Sequence, residues 1–192
     1  RFTTRTFAHV LAGAAPQEFT GRSSLNLADE DVFELTAEPG ATYFIEEPDD
    51  GRMCPTWWSV FDPAGVPVVL DTLTCNQPGV VVAAPVGGVI RVKVEAARNG
   101  VQARIRVTRA QERTYNVTLA AGESYSTSTD PQFSGAAGRL NPGDTAVIRF
   151  SVPAGARFSF ARGPFGACLP WRITGPDGAV LFEEVCPEVA LP

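Results

Sequence analysis

The chain is written twice. Pro16-Gln17, Leu25-Asn26, Asp29, Pro39-Gly40-Ala41, Cys54, Trp57 and Cys75 recur in order as Pro131-Gln132, Leu140-Asn141, Asp144, Ala154-Gly155-Ala156, Cys168, Trp171 and Cys186. The period is roughly 115 residues, well beyond the approximately 20 to 50 of a solenoid repeat, so each copy has the size of a domain. Two tandem copies of one small fold are expected, residues 1–113 and 114–192. Such a duplication points to a scaffold or binding module rather than to an active site assembled across one large domain.

Copies this small hold modest cores, and a covalent staple in each is welcome. The four cysteines sit at matching places, and of the pairings open to them the repeat selects Cys54 with Cys75 and Cys168 with Cys186. Each bridge would close a loop of about 20 residues, worth roughly 3 kcal/mol in the chain-entropy view. Structural zinc wants cysteine or histidine pairs a few residues apart, whereas here each cysteine stands alone and His9 is the single histidine. Disulfides belong to oxidising compartments, so the expected location is extracellular, on a cell surface or periplasmic. Arg1 opens the chain with neither Met nor an apolar leader, which fits a removed signal peptide or an excised fragment. The longest apolar stretch, Val80 to Ile90, is broken by Pro85, Gly87 and Gly88 and gives no membrane span. With 16 basic against 21 acidic residues the net charge is −5, the wrong sign for a protein that grips nucleic-acid phosphates.

Period-two alternation dominates, punctuated by Gly and Pro, which is the pattern of an all-β sandwich of jelly-roll or immunoglobulin-like kind. Strands are read at 31–35, 42–46, 57–61, 89–95, 101–108, 115–119, 147–151, 157–161, 171–174 and 180–182. Asp62-Pro63-Ala64-Gly65 and Gly175-Pro176-Asp177-Gly178 are the tightest turns, because Pro presets the bend and Gly accepts a positive φ. Each is expected to join a Trp strand to its neighbour as a hairpin lying between two cysteines. The stretch from Val89 to Thr108 reads as a further hairpin.

Asp31-Val32-Phe33-Glu34-Leu35, then Pro39-Gly40-Ala41-Thr42-Tyr43-Phe44, then a Trp strand closing on Asp62-Pro63-Ala64-Gly65 resembles the bacterial pre-peptidase C-terminal domain and related extracellular β-sandwiches. The second copy repeats the pattern from Asp144 to Phe150 and through Val152-Pro153-Ala154-Gly155-Ala156, Trp171 and Gly175 to Gly178, departing at Ala146 where the first copy has Asp31. The resemblance implies a non-catalytic surface appendage, in some members calcium-binding and in others in contact with polymeric substrates.

The residues themselves give no catalytic set. A nucleophile needs a base beside it, and His9 has no counterpart in the second copy; no zincin motif, P-loop or nucleophile elbow occurs. The protein is not expected to be an enzyme. Asp29 and Asp31, with Asp144 in the second copy, offer oxygen ligands to Ca²⁺, or else they accept backbone hydrogen bonds at a turn. Trp57 and Trp171 are matched and read as core. Trp58 then points to the opposite face, where it stacks on a sugar, anchors a protein contact or is covered by the neighbouring domain. In the 89–108 hairpin Arg91, Lys93, Arg104 and Arg106 face out as a positive stripe, either simply solvated or suited to an anionic polymer or an acidic partner.

Carrying the register past Cys186 puts Pro192 opposite about Val81, so the second copy reads as truncated, without a counterpart of the 89–108 strands. An incomplete sandwich exposes an open edge that natural proteins cover. The expected partner is a protein strand, from a longer polypeptide or another subunit, contacting residues 147–151 and 180–182. A structural, adhesive or assembly module is the first functional expectation. A carbohydrate-binding or enzyme-targeting appendage using Trp58 and the arginine stripe is the alternative.

Overall fold

In the strand Glu30–Ala37 (β3), Asp31, Phe33, Leu35 and Ala37 are buried while the residues between them are half or fully exposed. That is the alternation of a strand with one face on a core. The structure, a computed structural model, describes residues 3–48, 56–74, 79–120, 122–126, 140, 143–155, 157 and 171–184. Cys54, Cys75, Cys168 and Cys186 and most of the expected strand 157–161 lie outside the described residues. The fold is all-β, with no helix among the described residues and hence none long and apolar enough to cross a membrane.

One sheet holds Thr4–Val10 (β1), β3, Gly88–Ala96 (β8), Thr56–Phe61 (β5) and Pro67–Leu73 (β6), in the order β1-β3-β8-β5-β6. The other holds Gln17–Thr20 (β2), Arg104–Arg109 (β9), Ala41–Glu46 (β4) and Gly79–Ala84 (β7), in the order β2-β9-β4-β7. Phe33, Trp58 and Val92 of the first sheet and Tyr43, Ile45 and Ile105 of the second belong to one buried cluster. The two sheets therefore pack face to face as a sandwich. β1 and β3 run parallel; the other pairings within these sheets are antiparallel.

The expected hairpin from Val89 to Thr108 is corrected: β8 and β9 belong to different sheets. Between them the chain arches over the sandwich end, held where the Gly100 amide donates to the Leu25 carbonyl (2.8 Å) and Leu25 bridges Val101. Clean alternation in both strands is compatible with a hairpin or an arch. It fixes which side chains face in, not which sheet each strand joins.

The assignment of the paired tryptophans is also corrected. Trp58 is buried at 1% exposure, and Trp57 is the outward residue at 40%. Trp57 lies opposite Leu73 on one side and Glu95 on the other. Ser59 is buried as well, and the β5–β6 register breaks beside it, between Trp58 and Val60. Asp71 has φ 43° in the facing strand, its amide donating to the Ser59 Oγ and its Oδ1 accepting the hydroxyl proton. The extra residue of this bulge lies on β6, and Trp58 and Val60 keep plain alternation on the core side; the inverted expectation comes from matching Trp57 with Trp171.

Residues of the second copy form Glu112–Thr118 (β10), Thr145–Ser151 (β11), Trp171–Thr174 (β12) and Val180–Glu184 (β13). The chain divides into two compact units, Arg1–Pro153 and Ala154–Pro192; β10 and β11 lie in the first, β12 and β13 in the second. β10 and β11 pair in parallel and reproduce the bonds of β1 and β3. The Thr3 amide donates to Asp29 Oδ1 (3.1 Å) as the Gln111 amide does to Asp144 Oδ1 (2.8 Å). The Glu30 amide donates to the Thr3 carbonyl as Thr145 does to Gln111, and Leu11 donates to Thr36 as Leu119 does to Ser151.

In the second unit the β12–β13 turn repeats that of β5–β6: Gly175 donates to Ala179 and Gly178 to Gly175, as Asp62 does to Val66 and Gly65 to Asp62. Trp58 and Trp171 stand at the same place ahead of Pro63 and Pro176, so the partner of Trp171 in the repeat is Trp58 and not Trp57.

Trp58→Ala is expected to destabilise the protein by about 3–5 kcal/mol, the usual cost of emptying a buried Trp site. Trp57→Ala is expected to stay within about 1 kcal/mol. Urea unfolding of the two variants checks the assignment, and the reverse ranking would contradict it.

Candidate functional site

Arg22 gathers the first copy's acidic turn. Its amide donates to Asp31 Oδ2 (2.7 Å) and its Nε to Asp31 Oδ1 (2.6 Å), with the Asp31 side chain fully buried. The rest of the guanidinium donates to the Thr3 hydroxyl (2.6 Å) and to the Thr3 and Glu30 carbonyls. Asp29 accepts the amide and hydroxyl of Thr3 and the amide and side-chain nitrogen of Asn26, and its Oδ2 lies 3.8 Å from Arg22. Gly21 makes room for this: a Cβ there would stand 2.1 Å from Asp31 Oδ2.

The arrangement ties the start of β1 to the start of β3 and to the chain just after β2. The oxygens that calcium would take as ligands accept these donors, and Arg22 sets a positive charge beside both carboxylates. Among the described residues no three of His, Cys, Asp and Glu are grouped to hold a metal ion. Asp144 accepts the Gln111 amide and lies 3.7 Å from Arg113.

The four expected stripe residues are divided between the outer faces of the two sheets, and each has a carboxylate beside it. Arg91 pairs with Glu34 (3.0 Å) and Lys93 with Glu30 (2.6 Å) on the first sheet. Arg104 and Arg106 share Glu18, and Arg106 also reaches Glu46, on the second. The Arg106 hydrogen bond holds the Glu18 carboxyl below its ordinary value, and Glu18 in turn raises Arg106. A continuous positive stripe is therefore absent from these residues, for the same reason that the 89–108 hairpin is absent. With Trp58 in the core, the expected sugar-facing pair of features is dissolved.

His9 packs its ring against Phe19 (4.3 Å between centroids) beside Phe33, with Nε2 buried and without a hydrogen-bond partner among the described residues. It is an aromatic member of the core margin. The exposed apolar side chains collect elsewhere. On β6 and the turn before it, Val66, Val68 and Leu70 are exposed, with Trp57 outward on the neighbouring strand. On β13, Val180, Leu181 and Phe182 are exposed.

The sharpest asymmetry between the copies lies at β11. β3 is bonded on both edges, to β1 and to β8, whereas among the described residues β11 is bonded on one edge alone, to β10. Phe33 and Leu35 are fully buried, while Ile148 and Phe150 at the equivalent places are half-buried. Tyr115 of β10 is buried, and Phe150 meets Tyr125 edge-on at 5.6 Å.

No protein-family model matches the chain, and no curated protein does. Solved structures match in part. A periplasmic inhibitor of g-type lysozyme from Aeromonas hydrophila is 18% identical with a TM-score of 0.40, covering 55% of this chain and 98% of its own. The corresponding inhibitor of Salmonella Typhimurium is 12% identical at 0.35, covering 57% and 99%. The pre-peptidase C-terminal domain of a Bacillus anthracis collagenase is 9% identical at 0.33, covering 55% and 96%.

Replacing Arg22 by Met leaves Asp31 buried and unpaired, and is expected to cost about 3–5 kcal/mol in urea unfolding. Loss below about 1 kcal/mol would show that the cluster is not structural. The Asn26 amide and then the Thr3 hydroxyl hold Asp29 down to about 2 from its ordinary 3.8. A depressed carboxyl contributes stability that is complete above its ordinary pKa and is lost as pH falls through the folded one. Thermal melts should therefore fall between about pH 4 and pH 2, and Asp29→Asn should flatten that slope.

Proposed function

We propose that the protein is a non-catalytic extracellular module that works by accepting a β-strand from a protein partner on the outer edge of β11. The observation that carries this reading is the difference between β3, paired on both edges, and its repeat β11, paired on one among the described residues. A parallel two-stranded sheet is weak alone. An edge of this kind, with Ile148 half-buried, is what strand addition completes. The oxidising location rests on the four cysteines and the disulfides they are proposed to form within each copy, which non-reducing peptide mapping reads directly. The absence of an enzymatic role is part of the proposal, supported by the engagement of Asp29, Asp31 and Arg22 in the fold itself.

The test is association. Without another partner, an open apolar edge pairs with itself. Light scattering is expected to find concentration-dependent association of the chain. Ile148→Pro removes an amide that points away from β10, and it is expected to abolish association while circular dichroism stays unchanged. A monodisperse monomer at all concentrations would contradict strand addition as the mode of action.

A further inference from the structure

The strand that docks beside β3 is written twice in this chain. Arg5-Thr6-Phe7 of β1 recurs as Arg113-Thr114-Tyr115 of β10, and Leu11-Ala12 recurs as Leu119-Ala120. Both strands lie parallel to their partners in the same register, with Phe7 opposite Phe33 and Tyr115 opposite Ile148. Each is fixed at its start by an amide donated to an aspartate, from Thr3 and from Gln111, and at its end by the amide of the leucine. The connections nevertheless differ: residues 11–29 lead from β1 to β3, and the longer segment 119–144 leads from β10 to β11. One ladder forms across unequal connections, so docking is specified by the strand and its slot and not by the chain that joins them.

β1 can also leave its sandwich as a unit. Thr4, Arg5, Thr6, Ala8 and Val10 are exposed, and Phe7 and His9 are half-buried. Phe7 stacks on Phe33 at 5.7 Å between centroids, and Leu11, just beyond the strand, is buried. The bend that carries the chain on to β2 is Ala12-Gly13-Ala14-Ala15-Pro16, exposed throughout, with Gly13 at φ 74° and the Gln17 Nε2 donating to the Ala12 carbonyl (2.7 Å). Opening this bend releases β1 with Leu11 and leaves Asp29, Arg22 and Phe33 in place along β3.

We propose that the slot beside β3 accepts β1 from a second copy of this chain, two copies exchanging these strands reciprocally through opened 12–16 bends. The occupant is a second copy because the strand that fits is the chain's own. It brings the Thr3 amide to Asp29, the Thr3 hydroxyl and carbonyl to Arg22, the Phe7 ring to Phe33 and the Leu11 amide to the Thr36 carbonyl. Exchange between identical chains remakes every one of these contacts, which is why it is a low-cost route to a dimer. With the bend intact, the tethered strand meets its own slot at a far higher effective concentration, and the closed form holds in dilute solution. Crowding of copies, or a bend too short to fold back, favours exchange. The slot is on β3 and is separate from the edge of β11.

Deleting Ala14 and Ala15 from the full chain makes the bend too short to return β1 to its own β3. Light scattering is expected to find a stable dimer. The Glu30 amide points to β1, so those of Val32 and Glu34 do too, and both are expected to stay slow in hydrogen exchange. Adding Ile148→Pro is expected to leave this dimer intact. The second probe is a labelled peptide of residues 3–12, titrated by fluorescence anisotropy against the full chain carrying Phe7→Asp, whose own β1 is loosened. It is expected to bind, and Phe7→Asp in the peptide or Asp29→Ala in the chain is expected to weaken it about tenfold or more, as for the loss of one anchoring contact.

A monomeric deletion variant would overturn exchange between copies, and a dimer dissolved by Ile148→Pro would assign the association to β11 and overturn it as well. Should the deletion variant fail to fold, the peptide decides. No binding to the Phe7→Asp chain, with that chain folded by circular dichroism, or equal binding of the native and Phe7→Asp peptides, would overturn the slot itself.

Discussion

The contact between Arg22 and the paired carboxylates of Asp29 and Asp31 governs how this fold begins. A parallel pair has no hairpin to join its strands, so β1 must reach β3 by way of the other sheet. The chain leaves the first sheet after Val10, passes through β2 and returns at Glu30. Arg22 lies on that return path and binds Thr3, Glu30 and Asp31 together. Asp29 fixes the register from the other side by accepting the Thr3 amide. With those ends held, Phe7, Phe19 and Phe33 close the margin of the core around His9.

The same anchoring, in reduced form, recurs in the second copy. Asp144 takes the Gln111 amide with Arg113 nearby, and the parallel ladder follows in matching register. Ala146 in place of Asp31 removes the buried charge, and with it the need for a buried arginine partner. Beyond that pair the copies part: β3 has a neighbour on its far side, and among the described residues β11 does not. Function is proposed to lie in this inequality, since Arg91, Lys93, Arg104 and Arg106 are each occupied with a carboxylate.

Much of the fold was legible because alternation marks strands with one buried face: β3, β4 and β8 through β11 fall where the pattern puts them. β7 was not, because Gly79–Ala84 is apolar on both faces, and its burial alternates while its chemistry does not. β6 was expected as the hairpin partner of the Trp strand, and the bulge at Asp71 with the exposed Val68 and Leu70 hid its bounds. The inversion of Trp57 and Trp58 comes from matching Trp57 with Trp171, whereas counting back from the prolines of the two matching turns pairs Trp58 with Trp171 without any structure. Arg22 gave no local signal, since its partners lie 8, 9 and 19 residues away.

Amide hydrogen exchange along β3 and β11, followed residue by residue in the unbound chain, tests the central claim of one paired and one open edge. The Thr145 amide points to β10, so alternation aims those of Val147 and Arg149 the same way and those of Ala146, Ile148 and Phe150 outward. The account predicts slow exchange at Asp31, Phe33 and Leu35 as well as at Thr145, Val147 and Arg149, with fast exchange at Ala146 and Ile148. Equal protection of all five of these β11 amides in a monomeric chain would show that another segment already fills that edge, and would contradict the account.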